Sequence, residues 1–312
     1  MIPGRPRLVN HPEITYTSNL CHPAQESIFT TLIDGKSLAK QCKQQLSEQI
    51  QARIDAGKRV PTLAVVLVGN DPASHIYVTR KREACTEIGM HARDIHYPAD
   101  IDEATLITQI HALNQDDEVD GILVQLPLPN HIDQAHIIEQ IDPIKDVDGF
   151  HPYNLGRLAQ RRPLLRPCTP KGMMQLLATL PVELKGLHAV VVGTSSIVGR
   201  PMGLELLLAD VTVTFCHRGT ADLAHHIQQA DILVAAIGNP NVIDANWIKL
   251  GAIVLDVGIN RLDDGSISGD VPFDVAATRA AYITPVPGGV GPMTVASLLQ
   301  NTLQIAENRD DL

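Results

Sequence analysis

Short strand-forming runs alternate with stretches of helical period along most of the chain, and this alternation restricts the fold more than any other feature. Leu63–Val68 (LAVVLV) is apolar throughout, as a strand buried on both faces is. It is preceded by a segment in which Leu38, Cys42, Leu46, Ile50 and Ile54 recur every four residues, predicting a helix over Lys36–Ala56. A turn, Gly69-Asn70-Asp71-Pro72, leads into a second helix over Ala73–Glu87, and Gly89 closes it. The pattern repeats with a strand at His91–His96, a helix at Asp102–Asn114 and a strand at Gly121–Gln125. A second run follows: a helix from Lys171, then strands at Ala189–Val192, Val211–Phe215, Ile232–Ala236, Ile253–Val257 and Tyr282–Thr284, and a last helix over Met293–Glu307. The fold class is α/β, with parallel sheets covered by helices, and function belongs at the carboxyl ends of the strands. A length of 312 residues predicts about two such domains.

Composition narrows the function. With 44% apolar and 19% charged residues the chain has the balance of a globular protein. A net charge of −10 repels polyphosphate, which argues against nucleic acid as a partner. No apolar run approaches the roughly eighteen residues of a membrane span, so no membrane association is expected. Cys21, Cys42, Cys85, Cys168 and Cys216 are odd in number and form no C-x-x-C pair, which predicts neither a disulfide framework nor a zinc site and fits a reducing cytoplasm. The thirteen histidines show no H-E-x-x-H spacing, and no metal is expected. Residues 1–29 hold four prolines and no sustained periodicity, and read as a mobile arm without a secretory signal.

The candidate chemistry of the first half centres on ASHIYVTRKREACTE. Tyr77 and Lys81 are four residues apart, so on a helix their side chains share one face. A ring there can stack on a flat heterocycle, and an amine in an apolar wall, disfavoured as a cation, can act as a base. Taken alone, the pair reads sooner as an ordinary amphipathic face with a half-buried tyrosine and a solvated lysine. Gln125, in DGILVQLPLP, ends its strand just before prolines that fix the loop, and its amide can hold an amine or a water. The competing role is bonding to loop backbone. Asp142, Asp146 and Asp148 cluster in DPIKDVDGF, sooner as capping groups or solvated acids than as metal ligands, or with a carboxylate set to pair with the N–H groups of a pterin. Between Gly156 and Gly172 lie Arg157, Arg161, Arg162, Arg166 and Lys171 with no acid, either a linker that attracts an anionic ligand or plain surface charge.

In the second half, the strand Ala189–Val192 enters Gly193-Thr194-Ser195-Ser196-Ile197-Val198-Gly199 and then a helix. Backbone N–H groups at such a helix start can bind a pyrophosphate. The motif is not G-x-G-x-x-G, because serine stands for the middle glycine and the last glycine comes one residue late; nor is it a P-loop. About twenty residues on, Arg218 stands where an NAD-binding fold places an acid, which points to a ribose 2′-phosphate and hence NADP. The ends of the next strands carry Gly238 and Gly258-Ile259, where small residues let a ligand approach, so Gly238 and Ile259 are cofactor-contact candidates. Pro287, Gly288 and Gly289, in PVPGGVGP, form a stiff loop depleted of side chains that suits a flat ligand.

Seven stretches in order, SHIYVTRKREAC, DGILVQLPLP, KDVDGFHPYNLGRL, RPCTPKG, VVGTSSIVGRPM, DVGINR and PVPGGVGPMT, give the chain a resemblance to the bifunctional methylenetetrahydrofolate dehydrogenase/methenyltetrahydrofolate cyclohydrolase family, from about Ile33 to Ala306. The resemblance implies that Lys81 is the catalytic lysine, Tyr77 the ring stacked on folate, Gln125 the partner of the lysine and Asp148 the pterin anchor. It places Gly193, Thr194, Ser195, Ser196 and Gly199 on the cofactor turn, with Arg218 at the 2′-phosphate. It further implies a folate-binding catalytic domain of residues 30–149 and 285–312, a Rossmann-like doubly wound NADP-binding domain of residues 150–284, a cleft between them, and a homodimer acting on tetrahydrofolate derivatives. Glu83 and Thr194 depart from the pattern: Glu83 replaces a frequent basic residue, and Thr194 offers no second cation to the 2′-phosphate. The alternatives are a monofunctional dehydrogenase on the same scaffold and a non-catalytic dinucleotide-binding protein, which would need the glycine turn but no lysine constellation.

Overall fold

The computed structural model describes residues 30–262 and 264–310, and the arm expected over residues 1–29 lies outside them. In chain order, β1 (Thr31–Leu32) leads to α1 (Gly35–Asp55), β2 (Thr62–Val68), α2 (Pro72–Glu87), β3 (His91–Tyr97), α3 (Glu103–Gln115), β4 (Gly121–Val124), α4 (Gln134–Glu139), α5 (Pro152–Ala159) and α6 (Cys168–Ala178). There follow β5 (His188–Val192), α7 (Gly199–Leu208), β6 (Thr212–Cys216), α8 (Leu223–Gln228), β7 (Ile232–Ala235), β8 (Ile253–Asp256), β9 (Asn260–Arg261), β10 (Ile267–Ser268), α9 (Phe273–Ala276), β11 (Tyr282–Ile283) and α10 (Val290–Asp310).

Two parallel sheets result. The smaller has the order β3-β2-β4, and the larger β1-β11-β8-β7-β5-β6. Alternation along the buried strands sends residues to opposite cores. Leu63, Val65 and Leu67 of β2 join Leu46 and Ile50 of α1 and Leu298, Leu299 and Leu303 of α10. Ala64, Val66 and Val68 meet Leu106, Ile110 and Leu113 of α3 and Ile137 of α4. In the larger sheet, Ala189 and Val191 pack on Met173 and Leu176 of α6 and Met202 and Leu206 of α7, while Val190 and Val192 face Ile227 of α8 and Ala276 of α9. Helices on both faces explain why these strands read as unbroken apolar runs.

The strand β1 pairs in parallel with β11, Thr31 opposite Tyr282, so it sits in the larger sheet although residues 30–149 are expected to build the first domain. Helices α1 and α10 contribute to both cores: Ala39 and Cys42 of α1 and Val290, Met293 and Ala296 of α10 lie with the larger sheet, and the later residues of each helix with the smaller. Their carboxyl-terminal ends are joined by Arg53, whose guanidinium donates to Asp310 at 2.5 Å.

Candidate active site

Helix α2 begins at Asp71, whose carboxylate accepts the Ser74 N–H at 2.7 Å, with Pro72 in the first turn. This start sets Tyr77 and Lys81 one turn apart, both half-buried. The Lys81 Nζ donates to the Gln125 Oε1 at 3.1 Å. Gln125 follows β4 and is 8% exposed; its backbone N–H donates to Val66 at 2.9 Å and its Nε2 to the Leu126 carbonyl at 2.7 Å. That second bond leaves the amide oxygen for the lysine, so the glutamine serves backbone and amine together.

The three acids of the 142–148 segment have separate surroundings. Asp142 accepts the Ile144 N–H. Asp146 is buried, its carboxyl pushed up by burial, and it accepts the N–H groups of Gly149 and His151 and the Asn154 side chain at 2.8 to 3.1 Å, which organises the loop. Asp148 faces Lys81 and Cys168; burial pushes its carboxyl up to about 6, opposed by the positive charge of Lys81. Among the described residues no group of acids, histidines and cysteines is set to hold a metal.

A cleft of about 240 Å³ opens between the two sheets. Tyr77 and Arg80 form one side, the segment Pro285–Pro292 another, and Asp256–Ile259 with Ile267 a third. Pro287, Gly288 and Gly289 thus line it together with Ile259 and Tyr77, whereas Lys81, Gln125 and Asp148 do not line it, Lys81 standing one helical turn beyond Tyr77. Gly35 at the start of α1 abuts this loop: a Cβ there would stand 1.8 Å from the Gly289 carbonyl oxygen, so no other residue fits.

Sequence reasoning missed Arg80, Asp256 and Asp270. Asp256 ends β8 and is buried, its carboxyl pushed up to about 6 by that burial. It accepts the N–H groups of Gly258, Asp270 and Val271, each at 2.9 Å. Asp270 in turn accepts the N–H groups of Ile237, Gly238 and Asn239 at 2.6 to 3.0 Å and the Asn260 side chain at 2.9 Å. Two buried carboxylates therefore tie the loops at the carboxyl ends of β7 and β8. The only local signal was an acid in each of the small-residue stretches DVGIN and SGDV.

The turn at Gly193 lies after β5, where the larger sheet changes direction: β6 is laid on one side of β5 and β7 on the other. Ligands of open α/β sheets bind at such a point. Gly193 has φ +110, and a Cβ on it would lie 2.0 Å from the Ala236 carbonyl oxygen. A Cβ on Gly199 would lie 1.9 Å from the Gly193 carbonyl oxygen. These approaches bring β5, β7 and the start of α7 together with backbone facing the crevice, a cradle that fits a dinucleotide pyrophosphate. The Ser195 hydroxyl accepts the Val198 N–H at 3.2 Å and shapes the turn, while Ser195 and Ser196 are exposed and Thr194 half-buried. Arg218, beyond the end of the neighbouring β6, is exposed and has no acid at ion-pair distance among the described residues.

The basic stretch between Gly156 and Gly172 is mostly engaged within the protein. It contains the end of α5 and the first turn of α6. Arg166 makes a two-pronged pair with the fully buried Glu205, its Nε at 2.7 Å. Arg161 reaches Asp210 at 3.5 Å, and the Lys171 Nζ donates to the buried Asn301 Oδ1 at 2.8 Å, with burial pulling the ammonium down to about 8. Arg157 stacks near the Tyr153 ring at 5.6 Å.

Residues 33–148 match the family model described as tetrahydrofolate dehydrogenase/cyclohydrolase, catalytic domain, and residues 167–310 the model of its NAD(P)-binding domain. A solved structure of the bifunctional FolD methylenetetrahydrofolate dehydrogenase/cyclohydrolase of Campylobacter jejuni is 48% identical over 90% of this chain and 99% of its own, with a TM-score of 0.88. The FolD enzyme of Trypanosoma brucei, solved with NADP and an inhibitor, is 38% identical over 91% of this chain and 99% of its own, with a TM-score of 0.87. A 5,10-methylenetetrahydrofolate dehydrogenase of the silkworm Bombyx mori is 41% identical over 91% of this chain and 100% of its own, with a TM-score of 0.85.

Proposed function

The chain belongs to the tetrahydrofolate dehydrogenase/cyclohydrolase family, and from that premise we propose how its residues divide two reactions: oxidation of 5,10-methylenetetrahydrofolate with NADP+ to the 5,10-methenyl compound, and hydrolysis of that cation to 10-formyltetrahydrofolate. The observation that carries this reading is the bond from Lys81 to Gln125 on the helix face that also presents Tyr77 to the cleft.

Tyr77 stacks on the flat part of the folate against the Pro287-Gly288-Gly289 backbone, and the Asp148 carboxylate accepts N–H groups of the pterin, which fixes the one-carbon bridge. Ring-nitrogen lone pairs assist hydride loss from that bridge, so the first step needs positioning more than acid–base help. The backbone from Gly193 to Gly199, with Thr194, Ser195 and Ser196, would hold the pyrophosphate of NADP+, Arg218 its 2′-phosphate, and Gly238 and Ile259 its nicotinamide end. NADP+ supplies the hydride acceptor. In the second step water adds to the methenyl carbon. Lys81, acting as the free amine and oriented by the Gln125 oxygen, takes up one proton of that water and gives it to the ring nitrogen as the C–N bond breaks, while the remaining hydroxyl proton is released to solvent and the formyl C=O forms.

We further infer a homodimer and a cytoplasmic setting. Support for the first is the edge strand β6, whose Phe215 is 38% exposed, with Leu207 of α7 46% exposed. Support for the second is that Cys42, Cys85, Cys168 and Cys216 are free and buried, and no helix among the described residues is long and apolar enough to cross a membrane.

The test follows reduced cofactor and the methenyl compound separately in native protein and in Lys81→Met. NADP+ reduction faster than NAD+ reduction is expected, with methenyl accumulating only in the variant and its hydrolysis slowed at least ~100-fold. Both activities unchanged in Lys81→Met removes the lysine from the account, and no reduction with either cofactor overturns the dehydrogenase assignment.

A further inference from the structure

Asn301, on α10, is fully buried and does not line the cleft, yet both hydrogens and the oxygen of its amide are engaged. Its Nδ2 donates to the Val147 carbonyl at 2.8 Å and to the Arg166 carbonyl at 2.9 Å. Its Oδ1 accepts from the Lys171 Nζ at 2.8 Å. An ammonium can only donate, so Lys171 decides which way the amide is turned and leaves the two N–H groups for the carbonyls.

Those carbonyls belong to the two segments that enclose Asp148. Val147 precedes it, and the Val147 carbonyl also accepts from the Cys168 Sγ at 3.1 Å. The Asp148 carbonyl itself accepts the Cys168 N–H at 3.2 Å. Gly149, with φ +73, lies so close to the facing segment that a Cβ on it would stand 2.6 Å from the Arg166 carbonyl carbon and the Pro167 nitrogen. One amide therefore grips the chain on both sides of Asp148. Helix α6, which carries Lys171, is itself set tightly on α10: a Cβ on Gly172 would be 2.9 Å from the Met293 Cβ. We infer that Asn301 is a positioning residue for the folate, holding the Asp148 carboxylate in place against the pterin and, through Lys171, tying that anchor to α6 in the stretch that matches the NAD(P)-binding domain. The inference rests on reading Asp148 as the pterin anchor. A displaced anchor weakens the hold on folate and leaves the cradle at Gly193 as it is, so the effect belongs to one substrate.

Asn301→Leu alone strands the buried Lys171 ammonium without an acceptor and threatens the fold. The test therefore uses Asn301→Leu/Lys171→Met, in which apolar groups of similar size replace both partners, a change close to neutral for stability. KM is measured for 5,10-methylenetetrahydrofolate in oxidation, for the methenyl compound in hydrolysis and for NADP+, in native enzyme, the double variant, Asp148→Asn and the triple variant. In the double variant both folate KM values are expected to rise at least ~10-fold, with the KM for NADP+ within about twofold of native and the thermal midpoint little changed. Asp148→Asn should raise the folate KM by itself and add less than about twofold in the triple variant, because the pair acts through the same carboxylate. Unchanged folate KM values in the double variant, an equal rise in the KM for NADP+, effects that multiply in the triple variant, or a double variant that does not fold overturn the positioning role. A native folate KM in Asp148→Asn refutes the anchor reading, and the inference falls with it; a raised KM there beside an unaffected double variant refutes the inference alone.

Discussion

At Asp148, burial and a neighbouring cation act in opposite directions, and burial prevails, holding the carboxyl near 6. Above that pH the side chain is a carboxylate able to accept pterin N–H groups; below it the acid is protonated and one acceptor is lost. We therefore expect kcat/KM of the native enzyme to fall about tenfold per pH unit below 6. Asp148→Asn should flatten that limb and lower kcat/KM at pH 8 by about 10- to 100-fold, the loss of a hydrogen bond to a charged group. A variant that keeps the limb would assign it to Asp256, whose carboxyl also lies near 6. Tyr77, Lys81 and Gln125 were legible in the sequence because their placement follows from short-range geometry, a helix repeat and a strand end before proline. Asp256 and Asp270 were not. The groups that Asp270 satisfies lie over thirty positions back at Ile237–Asn239, and nothing local separates such an acid from a solvated one. The arginine-rich stretch was open between ligand and surface for the same reason: the Arg166 partner, Glu205, is on α7.

The glycine turn before α7 belongs to the element scale, because what it determines is how closely a helix start approaches two strands. In Gly199→Ala the added Cβ meets backbone at Gly193, so the turn must shift. We expect KM for NADP+ to rise at least ~10-fold and stability to fall by about 1–3 kcal/mol, while hydrolysis of methenyltetrahydrofolate supplied directly persists. Equal loss of both activities would mean that the turn serves the whole fold rather than the cofactor. The long helices and buried strands could be read from period and apolar runs, with ends displaced by a few residues. Helices α4, α5, α8 and α9 have four to eight residues each, too few turns for a 3.6 period to emerge. The two-residue β1 is a strand only by virtue of its pairing with β11 some 250 positions later.

For the whole molecule, α1 and α10 matter most. Each has 21 residues, about 31 Å, and each divides its apolar residues between the two cores. Denaturant unfolding, followed by far-UV circular dichroism and by the fluorescence of Trp247, which packs with the larger sheet, should therefore give coincident transitions. Two separated midpoints would show that the cores melt independently. The same pair of helices bears on how such a protein can change over evolutionary time. A gene cut between the two sequence halves would leave the dinucleotide-binding half without β1 and α1, and the other half without α10. Recombination that exchanges cofactor specificity as a cassette is thus closed to this architecture, and a change of cofactor has to come by single substitutions at places such as Arg218, where we propose that the 2′-phosphate is met.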